Sequence, residues 1–219
     1  MLAMTAPKSP GLLSRHRIAA VILLCGVVLL VAIVIVARIF LSSSATRATV
    51  KDFVTTLNHQ RGVAQKAIAA SRVSDPLGAT NIENSGEIER RLDLLQKAAA
   101  ANRAALESGD QSPAELTARL KRAGASSLEI SRWQKRFREQ YDWAASRPVY
   151  AARQRVVELQ IAMLNFLRNH RDAWGILDAK QGVHFYSRDQ RREFDSLLQE
   201  YANAVLEEQQ AVSKSGAAR

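Results

Sequence analysis

The sequence predicts an all-α protein in which a single N-terminal transmembrane helix is followed by an antiparallel helical bundle with short capped loops. Three observations carry this expectation. Residues 18–37 are an unbroken apolar run. Beyond it, apolar side chains recur at three- and four-residue spacing almost to the C-terminus. The intervals between these periodic stretches hold helix caps, glycines and prolines.

The run begins at Ile18 and contains only Ala, Val, Ile, Leu, Cys25 and Gly26 as far as Ala37. Twenty residues in a helix span about 30 Å, the thickness of a bilayer's hydrocarbon core. A cleavable secretory signal has a shorter apolar core, about 7 to 15 residues. Here the apolar character resumes after Arg38 with Ile39, Phe40 and Leu41, so a helix over 18–41 is expected to be retained, although Ser43, Ser44 and Ala45 resemble a cleavage site. Cys25 follows Leu23 and Leu24 and precedes twelve more apolar residues, which suits a small side chain in a membrane helix rather than a lipid attachment point. The basic tail over 1–17 carries Lys8, Arg15 and Arg17 and no acid, against Arg38, Arg47 and Lys51 on the other flank. Arg15 and Arg17 abut the run, which favours a cytoplasmic N-terminus and an extracytoplasmic C-terminal domain. That domain has no cysteine and no Asn-X-Ser/Thr sequon, and a chain of this length buries a core without disulfides. The combination points to the inner membrane of a bacterial envelope.

The helices are expected in the following order. The first covers about 45–72, with Val50, Phe53, Val54, Leu57, Ala64 and Ile68 on one face, and a loop from Ser74 to Gly78 follows. Asn84 and Glu87 form a capping-box pattern for a second helix. Its stripe of Ile88, Leu92, Leu95, Ala99 and Leu106 keeps a coiled-coil-like repeat with Asn102 in the seam, and Gly109 should stop it near Ser108. Ser112, Pro113 and Glu115 then read as the start of a short third helix ending at Gly124. Ser126 and Glu129 cap a fourth, with Ile130, Trp133, Phe137, Tyr141 and Ala144 on one face and a break at Pro148. The segment from Val149 to about Ala173 is apolar over a wide surface, the mark of a central helix. After Trp174 and Gly175, and a turn at Lys180-Gln181-Gly182, Val183 and Phe185 alternate with His184 and Tyr186 in a stretch too short for a sheet. Ser187 and Gln190 cap the last helix, whose face is Phe194, Leu198, Tyr201, Val205 and Val212, before a frayed tail over 213–219. Eleven of thirteen aromatic residues follow residue 130. Because large side chains dominate core energetics, residues 130–212 are expected to form the core and the Ala-rich 42–129 a stalk or outer helices. A cavity at Phe166 should then cost more stability than one at Leu95.

Residues 42–219 carry 27 basic and 21 acidic side chains, a net of +6. Spread among acids, such charges suit a solvated surface; near a membrane they also attract anionic headgroups. The signatures of phosphate loops, nucleophile elbows, metalloprotease helices and cysteine clusters are absent from the sequence, so no catalytic, cofactor-binding or metal-binding residue is assigned. His170 with His184 and a carboxylate, and Asp178 with Asp189, are thin pairings better read as surface, turn and helix-start residues. Leu116 to Gln134 resembles the DNA-binding helix-turn-helix motif. A helix ends at Ala123-Gly124-Ala125, a Ser-Ser cap follows, and Ile130 and Trp133 fall at apolar positions. The resemblance implies Ser127, Glu129, Ser131, Arg132 and Lys135 as groove contacts. Arg119 stands where the motif places an apolar residue, and the favoured topology keeps the segment from DNA.

The expected function is therefore non-enzymatic: a membrane-anchored interaction or accessory domain. Its expected partners are the lipid bilayer and a second copy or an envelope protein, with nucleic acid disfavoured. An extracytoplasmic ligand-sensing bundle signalling through a partner, or a membrane-bound helix-turn-helix regulator, are the alternatives. The candidate interaction residues are Trp174, His184, Phe185 and Tyr186, in the one break of a helical chain, because binding residues concentrate on loops held by rigid scaffolds. The anchor has a direct test. The protein should stay with membranes through alkaline carbonate washing at its full-length mass, and an extracytoplasmic reporter fused after Arg219 should be active. A released fragment starting near Thr46 would contradict retention.

Overall fold

A computed structural model describes residues 44–71, 82, 85–176 and 183–217 of the 219. The apolar run over 18–41, the Ser74–Gly78 loop, Asn84 with its capping box, the Lys180–Gly182 turn and Asp178 lie outside the described residues. No helix among the described residues is long and apolar enough to cross a membrane.

The described chain is almost wholly helical, with α1 over 44–71, α2 over Ser85–Arg122, α3 over Ser127–Gln140, α4 over Trp143–Asn169 and α5 over Arg188–Ala217. A 3₁₀ turn, Arg171–Ala173, and two short strands, β1 (Trp174–Ile176) and β2 (Val183–Phe185), join α4 to α5. Residue pairing shows that the long helices alternate in direction. Val50, Phe53 and Leu57 of α1 pack with Leu116 and Leu120 of α2, whereas Ala64 meets Ala105 and Ile68 joins the cluster containing Leu95 and Ala98. α4 lies between α2 and α5 and runs opposite to both: Arg168 pairs with Glu89 and Arg147 with Asp110, and Arg153 pairs with Glu208 and Gln160 with Tyr201.

The second helix does not stop at Gly109. It runs through Gly109, Ser112 and Pro113 to Arg122, so the expected short third helix is the end of α2. The side chains explain how. Proline has no N–H to give the carbonyl four residues back, which here belongs to Gly109; the Ser112 hydroxyl donates to that carbonyl instead, at 2.7 Å. Gly109 is required by packing, since a Cβ there would collide with the Trp143 indole. Gly124 is the true stop, with a φ of +77° that favours glycine. The expected break at Pro148 falls earlier, at Tyr141 and Asp142, where the Asp142 side chain caps α4 by accepting from the Ala145 N–H at 3.1 Å. Pro148 sits within the early turns of α4. The last helix runs on to Ala217, past the expected fraying at Ser213. Gln190 Oε1 is buried without a hydrogen-bond partner, so the reciprocal arm of the box expected at its start is not made.

Burial does not divide at residue 130. Phe53, Ile88, Leu92, Leu95, Leu116 and Leu120 of α1 and α2 are as deeply buried as Met163, Leu164 and Leu167 of α4. Buried Ala64, Ala98, Ala99 and Ala105 let these helices approach closely, so a core forms there with few aromatic side chains. Asn102, fully buried, donates from Nδ2 to the Tyr150 carbonyl at 2.8 Å and to Gln154 Oε1 at 3.0 Å. Gln154 and Arg103 both donate to Glu158, completing a polar seam between α2 and α4. At the other end of that seam Asp110 accepts from Arg147 at 2.8 Å and from Trp143 Nε1 at 2.8 Å. These bonds hold its carboxyl below the ordinary carboxylate range. The stabilisation they provide is complete above the ordinary carboxylate value and is lost as pH falls through the lowered one.

The burial pattern revises the expected cost of cavities. Leu95 is 1% exposed and Phe166 7%. In urea melts, Leu95→Ala should cost about 2 to 5 kcal/mol and Phe166→Ala about 3 to 5. A near-silent Leu95→Ala would restore the stalk.

Candidate functional site

The hairpin after α4 is built by two opposed sets of side chains. α4 ends with the His170 N–H bonded to the Phe166 carbonyl, and the chain turns into β1. The Trp174 indole N–H donates to the Leu167 carbonyl at 2.8 Å, which fixes the strand against the end of α4. The antiparallel register pairs Trp174 with Phe185, Gly175 with His184 and Ile176 with Val183. Paired residues share a face, so Trp174 and Phe185 go inward together. Phe185 stands 5.8 Å from Phe166 and 5.0 Å from Phe194, in a cluster of rings that His170 joins at 4.3 Å from Phe166. His184 is exposed, and Tyr186 is 69% exposed. Their rings are 6.1 Å apart. Tyr186 folds back across the hairpin: its N–H donates to the Ala173 carbonyl, and a Cβ on Gly175 would come within 2.6 Å of its hydroxyl.

The four residues expected to form one surface are thus split. Trp174 and Phe185, 8% and 7% exposed, belong to the core, and His184 and Tyr186 alone face solvent. The alternation of Val183 and Phe185 with His184 and Tyr186 was in the sequence, but β1 carries no alternation to announce the pairing. The expectation that the stretch is too short for a sheet is corrected: two three-residue strands pair, anchored by Trp174.

A second feature was not legible in the sequence. Beside the last described turn of α1, a groove of about 730 Å³ opens between it, α4 and α5. Ile68, Val157 and Val205 line it with the hydrogen-bonded Gln160–Tyr201 pair and the Arg153–Glu208 ion pair. Only the register of three helices brings these residues together. Gln160, buried on an otherwise apolar face, was the available signal.

In the helix-turn-helix-like segment the capping box is formed: the Ser126 hydroxyl accepts from the Glu129 N–H, and Glu129 accepts from the Ser126 N–H at 2.9 Å. The backbone and hydroxyl of Ser126 hold the Glu129 carboxyl below the ordinary range. Glu129 is therefore occupied by the cap. Ser127, Ser131, Arg132 and Lys135 are exposed, while Ile130 and Trp133 lie against the cluster around Phe53 and Phe137. Among the described residues, no three His, Cys, Asp or Glu side chains converge as a metal site. His170 Nδ1 is engaged, 2.9 Å from the Phe166 carbonyl. Neither the protein-family models, nor the curated proteins, nor the solved structures include a match to this chain.

The split of the hairpin has a stability signature. Trp174→Ala should cost about 3 to 5 kcal/mol, as for a large buried aromatic, whereas His184→Ala and Tyr186→Ala should stay within about 0.5 kcal/mol. Thermal or urea melts of the three variants check this.

Proposed function

We propose that this chain is a non-enzymatic, membrane-tethered helical interaction module of the bacterial envelope, and that it meets its partner through the outer face of the hairpin. The observation that carries the proposal is the exposure of His184 and Tyr186 on a turn whose opposite face, Trp174 and Phe185, is locked in the core. An exposed tyrosine supplies a large contact area at low side-chain ordering cost, the property that enriches Tyr at interfaces. Position supports the same reading. The hairpin follows the end of α4, whose Arg168 pairs with Glu89 near the start of α2, whereas the start of α1 packs beside Leu116 and Leu120. Glu89 and Leu116 are 27 residues apart on one helix, about 40 Å at helical rise. A tether entering at α1 leaves the hairpin at the far end of the bundle.

A ligand-sensing bundle is the second reading, and the groove between α1, α4 and α5 favours it. The helix-turn-helix regulator has weaker support, because Glu129 is committed to its cap and the first helix of the motif is the last third of α2.

The proposal is tested in cells. A photo-crosslinking side chain at position 186 of the full-length protein should capture a defined envelope protein or a second copy. The same chain carrying His184→Ala should lose most of that adduct while keeping its melting temperature. Unchanged capture, or capture equal to that from a probe at exposed Lys97, would reject the hairpin as the interface.

A further inference from the structure

The net charge of the domain is not spread over it. Residues 44–57 and 115–140 carry nine basic and four acidic side chains, a net of +5, out of the +6 carried by residues 42–219. The structure gathers these two segments at one end of the bundle. Val50 and Phe53 pack on Leu116, Leu120 and Phe137, and Arg119 pairs with Asp52 across the helices at 3.3 Å. The four acids there are engaged: Asp52 and Glu115 by Arg119, Glu129 by the Ser126 cap and Glu139 by Lys135. Lys121, Arg122 and Arg132 are exposed and make no direct ion pair among the described residues, Arg132 acting on the capped Glu129 carboxyl only through space. Between them stands the turn from α2 to α3, made of small residues, with Leu128 62% exposed at the start of α3.

Chain length fixes what this end faces. Leu41 closes the apolar segment, and Ser44, three residues later, is the first described residue of α1. Three residues reach at most about 10 Å in any conformation, close to the Debye length of about 8 Å at physiological salt. We propose that the α2–α3 turn docks on anionic lipid headgroups, with Lys121, Arg122 and Arg132 against the charged surface and Leu128 dipping into the boundary between headgroups and acyl chains. This rests on residues 18–41 being the membrane helix. Basic charge plus an exposed apolar side chain is the combination that holds peripheral elements at an anionic interface. Docking there would brace the bundle upright on its tether and fix the direction in which the hairpin points.

The test uses the full-length chain with Cys25→Ala and Leu128→Cys, labelled at position 128 with a polarity-sensitive dye. It is reconstituted into vesicles of phosphatidylcholine alone or mixed with phosphatidylglycerol, each containing a headgroup-linked nitroxide quencher. Flotation first establishes that the chain is membrane-bound. The label should then be quenched in the anionic vesicles, much less in the neutral ones, and released between about 50 and 500 mM salt as the field is screened. Lys121→Gln, Arg122→Gln and Arg132→Gln should each lower the docked-to-free ratio about fivefold. A label at position 186 should remain unquenched throughout. A chain that fails to float overturns the tether, and this inference with it. A chain that floats but shows no quenching, or equal and salt-indifferent quenching in both lipids, overturns the docking alone. Sequence-selective binding of duplex DNA at physiological salt, blocking the same label, would assign the surface to a nucleic acid instead.

Discussion

The hydrogen bond from the Ser112 hydroxyl to the Gly109 carbonyl satisfies the acceptor that Pro113 leaves unpaired in α2, the helix against which α1, α3 and α4 pack. Proline in a helix interior costs about 3 kcal/mol and glycine about 1, so α2 contains two residues that would ordinarily end it within a turn of each other. Two things offset them. The serine supplies the donor that Pro113 lacks, and the Trp143 ring occupies the space left by the missing Gly109 side chain. On either side of this point α2 is fixed by burial, through Leu92, Leu95 and Asn102 before it and Leu116 and Leu120 after it. The 38-residue helix that results is about 57 Å long. α4 packs along it from Arg168 at Glu89 to Arg147 at Asp110, and its last part meets the start of α1 and α3.

Register along this helix is set by polar groups as much as by apolar ones. Helices faced with alanine can slide or rotate with little change in buried area, and a buried amide that must find partners removes that freedom. Asn102 does so for α2 and α4 by donating to both Tyr150 and Gln154, and Asp110 repeats the constraint two turns further on through Arg147 and Trp143. The α4–α5 contact has its own set in Gln160–Tyr201 and the largely buried Arg153–Glu208 pair. Because that pair also lines the groove beside α1, the residues that align α4 with α5 shape the cavity between them.

The amphipathic faces of α1 and of the first half of α2 were legible residue by residue, because their apolar spacing matches the helical period and Val50, Phe53, Leu57, Ala64, Ile68, Ile88, Leu92 and Leu95 are all buried. The capping box at Ser126 was legible for the same local reason. The continuity of α2 was not, since Gly109 and Pro113 are local stop signals overruled by Trp143 and Ser112, one of them distant in sequence. The weight of the N-terminal helices in the core was obscured by composition: alanine buries little area by itself, but it allows close helix approach. At the candidate site, the outward face of His184 and Tyr186 was implicit in their alternation with Val183 and Phe185. The strand pairing that buries Trp174 depends on Trp174-Gly175-Ile176, which carries no strand signature.

The arrangement of the bundle sets the start of α1 and the hairpin bearing the exposed His184 and Tyr186 toward opposite limits of α2. Its most direct test is a distance along that helix. Spin labels at the exposed positions Arg90 and Lys121, introduced as cysteines in a Cys25→Ala background, are 31 residues apart. Pulsed electron–electron double resonance should give a single narrow distribution at about 46 Å, the rise of an uninterrupted helix. A markedly shorter or broad distribution would mean that the chain does break between Gly109 and Pro113, and the arrangement of both ends would be wrong.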